Sequence, residues 1–402
     1  MSSALAGKNI LLGVTGSIAA YKAADLLRRL QEQGAVVQVA MTKSAAQFVT
    51  ADTLRTLSGM PVLSDLFAEP LHWKVEHVSL ADWADLVLIA PVTANTMAAM
   101  AHGSCNDILT CLILSTRAPV LLAPAMDEGM WLHQATQDNA ARLVELGYTV
   151  IEPAGGSLAS GKVGKGRMAA VETIVEEAER QLADKDLEGR RIVVTAGPTH
   201  EPIDAVRYIS NRSSGKMGFA LAAAAALRGA IVTLVTGPTH LTAPGGVEVS
   251  PVETAQEMYQ ATLLAATRAD VVIGAAAVGD FTPIEPASTK LKREGERTLA
   301  LKPTPDIIAA VAGLGKNRPP VVVGFAAESE NLIENAKQKI VRKGIDLIVA
   351  NDVNQTGGVF DSDYNQASLI FADGRVQSLE RLTKKALADE ILEVVKVLLE
   401  KG

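Results

Sequence analysis

The sequence feature that most constrains the fold is a strand, a glycine turn and a helix near the middle of the chain, between Arg191 and Gly218. A short apolar run (192–195) ends at an Ala-Gly-Pro break, a helical pattern begins at Phe219, and a second apolar run (231–235) follows it. This order predicts one β-α-β unit, in which the free N–H groups and the dipole at the helix N-terminus favour an anion.

The loop inside this unit is unusually long. A bare dinucleotide-binding turn needs about six residues, and this loop has roughly twenty more. It carries basic and hydrogen-bonding residues, namely Arg207, Asn211, Arg212, Ser213, Ser214 and Lys216. Because long loops in compact domains are usually functional or disordered, we predict that this one binds phosphate.

The start of the chain has the same arrangement: a strand over 8–14, a turn with Gly16 and Ser17, a helix over 18–33 and a strand over 36–41. The turn lacks the GxGxxG fingerprint, which disfavours NAD and favours a mononucleotide such as FMN. On this feature alone, a structural turn without a ligand is the alternative interpretation.

Polar residues also follow the next two strands. Thr42 and Ser44 come after the second strand, and Thr93 and Asn95 come after a buried strand over 86–90. Ligands in open α/β sheets bind beyond the carboxyl ends of the strands. We therefore predict that these four side chains, with the glycine turn, contact FMN.

A glycine-rich segment, 155–168, has no core-forming residues. We predict that it is too flexible for regular structure and forms a mobile flap.

The second half repeats the pattern of polar residues at strand ends. Asp280 follows a strand over 271–276, and Asp306 precedes a helix that begins at Ile307. The basic residues predicted to receive a triphosphate are Lys216, Lys290, Lys292, Arg293, Lys339 and Lys343. Lys339 and Lys343 are four residues apart on a predicted helix and therefore share one face. For these two lysines, the alternative interpretation is a helix face that is simply exposed to solvent.

Composition narrows the class of protein. At 402 residues and 48% hydrophobic content, the chain suits an α/β protein of two or three domains. The net charge of −7 argues against a general nucleic-acid binder. Cys105 and Cys111 are six apart in an apolar stretch that is predicted to be helical, so we predict buried free thiols in a reducing cytosol. With no signal peptide or membrane span, a cytoplasmic protein is expected.

A charged segment over 173–190 is the predicted domain boundary. We predict an α/β protein with two doubly wound Rossmann-like domains in tandem. These are a flavodoxin-like domain over 1–188 and a nucleotide-binding domain over 189–402.

Nearly the whole chain resembles the bacterial bifunctional phosphopantothenoylcysteine decarboxylase/phosphopantothenate–cysteine ligases of coenzyme A synthesis. In the first half the resemblance rests on GVTGSIAAYK, on ADWADLVLIAPVTANT, on the PAM turn before MW and on GKGRM. In the second half it rests on TAGPTHEPIDAVRYISNRSSGKMG, AAAVGDF, KLKR, TPDI and GFAAE. The set and its order are highly specific.

For the first half, the resemblance implies FMN-assisted decarboxylation. FMN supplies the missing electron sink by oxidising the thiol-bearing carbon before CO₂ leaves. His77 matches the catalytic histidine. Two positions depart from the family: Asp127 stands where an asparagine is usual, and Ser160 stands where a cysteine is usual. We favour a working variant that uses both residues, and an impaired flavoprotein half is the alternative.

For the second half, the resemblance implies that CTP activates 4′-phosphopantothenate as an acyl-cytidylate, which cysteine then attacks. Lys290 matches the lysine for the first step and Asn211 the residue for the second. The nucleotide-binding positions are Gly274, Ala275, Ala276, Asp280, Lys290, Pro305, Asp306, Ile307, Ile308, Phe325, Lys339 and Lys343. The sequence identifies no metal ligands, so Mg²⁺ is expected to bind mainly through phosphate oxygens.

Two rival interpretations are a flavin prenyltransferase-like enzyme and a regulatory, non-catalytic flavoprotein. The ligase motifs argue against both. The resemblance also implies a homo-oligomer built from trimeric decarboxylase and dimeric ligase contacts, with small-molecule partners and neither nucleic acid nor membrane.

Overall fold

Two buried sheets organise the chain, one in each of the compact units Ser2–Ala183 and Asp184–Gly402. The computed structural model describes residues 3–66, 76–293, 295–296, 298–328, 332–352 and 362–401, without the side chains of residues 76, 77, 327, 328 and 352.

The strands of the first unit are β1 (Asn9–Val14), β2 (Val36–Met41), β3 (Leu86–Val92), β4 (Val120–Pro124), β5 (Thr149–Val150), β6 (Ala154–Ser157) and β7 (Val163–Arg167). The helices are α1 (Ala23–Glu32), α2 (Ala51–Ser58), α3 (Glu76–Trp83), α4 (Ala94–Ala101), α5 (Ile108–Ser115), α6 (Glu128–Trp131), α7 (Gln134–Glu145) and α8 (Val171–Leu182). The first five strands pair in parallel in the order β2-β1-β3-β4-β5, which is the flavodoxin-like order.

Helices cover both faces of this sheet. Leu26 of α1, Leu54 of α2 and Ile174 of α8 pack on one face, and Met97 of α4 and Leu109 of α5 pack on the other. Because both faces are covered, β1 and β3 are almost continuously apolar.

The strands of the second unit are β8 (Arg191–Ala196), β9 (His200–Pro202), β10 (Tyr208–Ser210), β11 (Ile231–Thr236), β12 (Val247–Pro251), β13 (Val271–Gly274), β14 (Phe281–Pro283), β15 (Leu301–Pro303), β16 (Val321–Glu328), β17 (Leu347–Asp352), β18 (Tyr364–Asn365), β19 (Ala367–Phe371), β20 (Val376–Ser378) and β21 (Leu382–Thr383). The helices are α9 (Lys216–Leu227), α10 (Ala255–Ala266), α11 (Ile307–Ala312), α12 (Leu332–Lys343) and α13 (Lys384–Lys401).

The main sheet of the second unit has the order β12-β11-β8-β13-β16-β17-β19-β20. Its strands are parallel up to β17, and β19 and β20 add antiparallel at one edge. Helices α9 and α13 pack on one face, and α10, α11 and α12 pack on the other. The predicted fold class, two doubly wound α/β sheets in tandem, is confirmed.

The prediction that residues 155–168 lack regular structure is wrong. Strands β6 and β7 pair antiparallel, with Gly156 opposite Gly164, and Leu158 N donates to Lys162 O at 2.8 Å in the turn. Backbone hydrogen bonds pair its two strands, and such pairing needs no core-forming side chains, so the sequence pattern did not reveal it.

The predicted free thiols are also wrong. Cys105 is exposed in the loop before α5, Cys111 lies in the first turns of that helix, and the two form a disulfide with Cα atoms 4.9 Å apart. The predicted helix does not extend back to Cys105 because Asp107 caps α5. The loop therefore folds back towards the helix and brings the two sulfurs together.

Two predicted helices are shorter than expected. The segment over 18–33 opens with a 3₁₀ turn, Ile18–Lys22, before α1. The residues over 44–58 are also predicted from the sequence to form one helix, but they divide into a 3₁₀ turn, Ala45–Gln47, and α2, because the side chain of Thr50 caps α2. No helix among the described residues is long and apolar enough to span a membrane.

Candidate active sites

At the carboxyl edge of the first sheet, the turn after β1 touches the segment after β2. A Cβ added at Gly16 would lie 2.4 Å from the Cβ of Ser44, so this contact requires glycine. The Ser17 hydroxyl accepts from Ala19 N at 3.3 Å and starts the 3₁₀ turn, and the Thr42 hydroxyl accepts from Ala45 N at 3.2 Å. The turn and the two hydroxyls are thereby held in fixed positions.

Thr15, which sequence reasoning missed, joins this turn to the end of β3. Its buried hydroxyl donates to Pro91 O at 2.8 Å and accepts from Thr93 N at 3.0 Å. Thr93 in turn caps α4 by accepting from Thr96 N at 3.3 Å, and Asn95 is exposed in the first turn of that helix. The structure therefore brings the predicted turn and both polar strand ends to one edge of the sheet.

This edge fits a phosphorylated mononucleotide. The donor set consists of hydroxyl groups, one amide and backbone N–H groups. Residues that could hold FMN are Gly16, Ser17, Thr42, Ser44, Thr93 and Asn95.

The two departures from the family pattern are in direct contact. Ser160 Oγ, at the tip of the β6–β7 hairpin, donates to Asp127 Oδ2 at 2.7 Å. Asp127 also caps α6, since Oδ1 accepts from Gly129 N at 3.1 Å. The hydrogen bond from Ser160, followed by the one from Gly129, lowers the pKa of the Asp127 carboxyl. Asp127 is therefore ionised at neutral pH.

The hairpin packs closely on the turn that carries Asp127. A Cβ at Gly164 would lie 2.2 Å from the Glu128 carboxyl, and a Cβ at Gly166 would lie 2.3 Å from Met126 O. Met126 N donates to Gly166 O at 2.9 Å. His77 lies in α3, but its side chain is outside the described part of the structure, as are His72 and Trp73.

In the second unit, a cavity of about 760 Å³ opens at the carboxyl edge of the sheet. The predicted residues that line it are Asn211, Arg212, Ser213, Ser214, Lys216, Gly274, Ala275, Ala276, Asp280, Pro305, Asp306, Ile307, Ile308, Phe325, Lys339 and Lys343. They come from widely separated segments of the chain, and the parallel sheet brings these segments together.

Particular contacts fix the walls of this cavity. Asn211 Nδ2 donates to Ala277 O at 3.2 Å and to Val278 O at 2.9 Å. Lys343 Nζ lies 2.9 Å from Asp306 Oδ2, and Asp306 Oδ1 caps α11 by accepting from Ala309 N. These contacts place an amide, an ammonium group and a carboxylate around one space.

Lys290 does not line this cavity, and neither do the predicted basic residues Arg207, Lys292 and Arg293. Lys290 is exposed, in a segment that Asp204 anchors. Leu291 N donates to Asp204 Oδ2 at 3.0 Å, and Arg207 bonds both this carboxylate and Leu291 O. The hydrogen bonds from Arg207 hold the pKa of the fully buried Asp204 side chain far below its usual value.

The cavity also contains residues that sequence reasoning missed. Lys384, Asn365 and Asn351 line it, and the first two are buried. Lys384 is the first residue of α13, so the only feature of the sequence that could have indicated it is the start of that helix. Within the described ranges, no group of three or more His, Cys, Asp or Glu side chains could hold a metal ion, although Asp280 and Asp306 both line the cavity.

Comparisons with family models match the two compact units separately. Residues 1–183 match the model of a family described as Flavoprotein. Residues 187–398 match the family described as DNA/pantothenate metabolism flavoprotein C-terminal domain.

Individual proteins are similar over almost the whole length. The chain is 47% identical over 394 residues to the coenzyme A biosynthesis bifunctional protein CoaBC of Vibrio cholerae, covering 97% of this chain and 98% of that protein. It is 46% identical to the Escherichia coli protein of the same name, covering 96% and 97%. A crystal structure of the C-terminal domain of CoaBC shares 39% identity, with a TM-score of 0.47, and covers 55% of this chain and 100% of that chain. The chain belongs to the family of bifunctional coenzyme A biosynthesis proteins, CoaBC.

Proposed function

We propose that the chain joins 4′-phosphopantothenate to cysteine with CTP, and then removes CO₂ from the product, 4′-phosphopantothenoylcysteine, to give 4′-phosphopantetheine. Membership of the CoaBC family supports both activities. The observation that carries the ligase assignment is the 760 Å³ cavity, because it gathers nearly all the predicted nucleotide-binding residues in one place.

The ligase chemistry needs an activated acid, since a carboxylate does not react with an amine at neutral pH. The acid oxygen attacks the α-phosphorus of CTP, pyrophosphate leaves, and the cysteine amine then displaces CMP from the acyl carbon. Lys339 and Lys343 would neutralise charge on the phosphates, and Asn211 would orient the acyl group. Mg²⁺ would bind through phosphate oxygens with Asp280 and Asp306 nearby.

The ligase is tested by pyrophosphate release when CTP, Mg²⁺, 4′-phosphopantothenate and cysteine are added to the purified protein. We expect release that requires the acid and yields the cysteine adduct. Protein that leaves CTP intact in the complete mixture contradicts the proposal.

For the decarboxylase half, bound FMN would supply the electron sink that a simple carboxylate lacks. Ser17, Thr42, Ser44, Thr93 and Asn95 would hold it by hydrogen bonds. We further propose that His77 moves the proton at the reacting thiol.

Asp127 cannot replace a donating amide, because an ionised carboxylate has no proton to donate. We propose instead that it holds the hydroxyl of Ser160 over the site through their 2.7 Å hydrogen bond. The alternative, a ligase with an impaired or regulatory flavoprotein half, is favoured by the same two residues. A single-turnover measurement of CO₂ release from 4′-phosphopantothenoylcysteine decides between them. Release supports the decarboxylase, and none from protein with bound flavin supports the alternative.

We also propose a homo-oligomer that combines trimeric flavoprotein contacts and dimeric ligase contacts, in the cytoplasm. Ile18 and Tyr21, next to the Gly16 turn, are 58% and 63% exposed, which suits a partner subunit covering this edge. Light scattering after size exclusion should give a multiple of both two and three subunits. A monomer contradicts this part of the proposal.

A further inference from the structure

We propose that Lys22 and Arg167 form a subsite in the first unit that binds the phosphomonoester of the decarboxylase substrate. This inference rests on the proposed decarboxylase function. A cleft of about 480 Å³ lies between the start of α1, the base of the β6–β7 hairpin and the start of α8, and both residues line it. None of the six residues that could hold FMN lines this cleft, so it is distinct from the row of hydroxyl groups at the sheet edge.

Positive charge is in excess in this cleft. Among the residues that the structure describes, neither the Lys22 side chain nor the Arg167 side chain makes a hydrogen bond or an ion pair. The cleft also contains the carboxylates of Asp25 and Glu172, but these lie 3.8 Å and 3.6 Å from the guanidinium of Arg29. The acidic groups are therefore shared with a third cation, and the charges of Lys22 and Arg167 are not balanced.

Lys22 and Arg167 also repel one another. Lys22 is partly buried, and burial lowers the pKa of its ammonium group, as does the positive charge of Arg167. Both causes act against the charged form of the lysine, because the group has lost water and lies near a like charge. An anion bound between the two side chains would reverse both effects, since it would supply the opposite charge and accept hydrogen bonds from both.

A glycine fixes where the guanidinium lies. A Cβ added at Gly156 would come within 2.7 Å of Arg167 Nη1, and the φ of 137° at Gly156 is one that L side chains rarely adopt. The Arg167 side chain therefore lies across the hairpin backbone, in space that a side chain at position 156 would fill. A guanidinium placed in this way can donate two parallel hydrogen bonds to a phosphate.

The position of Arg167 in the hairpin favours the substrate over FMN as the source of the phosphate. The tip of the same hairpin carries Ser160, which bonds Asp127 at 2.7 Å, and the cysteine end of the substrate would react there. The linear pantothenoyl chain separates that end from the phosphomonoester, as strand β7 separates Ser160 from Arg167. FMN carries a phosphomonoester as well and is the competing source.

The test is calorimetric titration of the flavin-loaded, full-length protein with 4′-phosphopantetheine, the proposed product, and with pantetheine, which lacks the phosphate. We expect Lys22→Gln and Arg167→Gln each to weaken binding of 4′-phosphopantetheine about tenfold and to leave the affinity for pantetheine unchanged. Titration of the flavin-free protein with FMN and with riboflavin measures the competing source. We expect neither flavin affinity to change.

Matched variants separate this effect from damage to the fold. Arg28→Gln removes the same charge from an exposed residue of α1 that does not line the cleft, and it should leave all of these affinities unchanged. Asp25→Asn removes one carboxylate of the cleft and should tighten binding of 4′-phosphopantetheine about threefold, which a damaged fold cannot do.

The proposal is overturned if both glutamine variants bind 4′-phosphopantetheine within twofold of the wild-type affinity, or if they lose affinity for pantetheine equally. It is also overturned if only FMN affinity falls, which would assign the two cations to the flavin phosphate. Failure of the decarboxylase function has a different signature. In that case wild-type protein with bound flavin would release no CO₂ from 4′-phosphopantothenoylcysteine, while the titrations, which need no turnover, would still show whether phosphate binding depends on the two cations.

Discussion

The carboxyl edges of the two sheets are both formed by parallel strands, but one presents neutral groups and the other presents charged groups. The edge of the first unit has Ser17, Thr42 and Thr93, whose hydroxyls are held by backbone contacts. The edge of the second unit has lysines paired with aspartates, such as Lys343 with Asp306. Neutral hydrogen-bonding groups suit a resident ligand held in one pose. Charged pairs suit polyanions that enter and leave in each turnover, because the aspartates occupy the lysines between turnovers.

The largest expected effect comes from a substitution that almost abolishes the activity at one edge and leaves the activity at the other edge unchanged. Asn211→Asp places a carboxylate 2.9 Å from Val278 O, where the amide now donates. We expect ligase activity to fall by at least about 100-fold, as for loss of an oriented donor, while CO₂ release and bound flavin stay unchanged. Both activities are measured on the same preparation. Equal loss of both would show that the two edges are not independent.

The next effect tests the first edge by packing. Gly16→Val forces a side chain into Ser44, and we expect FMN affinity to fall by about tenfold to 100-fold. Flavin fluorescence during titration measures this affinity, with ligase activity as the internal reference. Gly155→Ala adds a methyl group where nothing lies within 4 Å and serves as the control. Normal FMN binding by the valine variant would place the flavin elsewhere.

A smaller effect tests charge at the second edge. Lys343→Gln should weaken CTP binding about tenfold and reduce its dependence on salt, because one phosphate contact is lost. Arg342→Gln removes the same charge from an exposed neighbour that does not line the cavity. Calorimetry at two salt concentrations measures both. Equal loss of CTP affinity in the two variants would indicate that the overall positive charge of the helix attracts CTP, and that Lys343 makes no direct contact with a phosphate.

The smallest effect concerns the carboxylate of the first unit. Ser160→Ala removes the largest cause of the lowered pKa of Asp127, so this pKa should rise towards its ordinary value. A lowered pKa stabilises the folded state above the ordinary pKa, and this contribution is lost as the pH falls through the folded-state value. Carboxyl carbon NMR of the two proteins measures the shift. Identical titration curves would exclude the hydrogen bond in solution.

Much of the fold and of the two candidate sites could be predicted from the sequence, because the polar residues at the strand ends come directly after apolar runs. The polar residues after β3 and β13 were selected in this way, and so was the cap at Asp306, whereas Phe325 of β16 came from the family resemblance. Thr15 was missed because its hydroxyl bonds to Pro91, which is 76 residues away in the chain. Lys384 was missed because its position depends on where α13 begins. The hairpin over Asp127 was missed because backbone pairing between glycine-rich strands leaves no hydrophobic pattern.

The buried carboxylate of Asp204 has a consequence for genetic surveys of this enzyme. It fastens the base of the Arg207 turn and the backbone beside Lys290 at once, yet it does not line the cavity. Replacing it would release both segments together and lower the ligase activity, as removing a reacting group of that half would. A screen that measures only loss of growth would therefore classify a structural residue as a catalytic one.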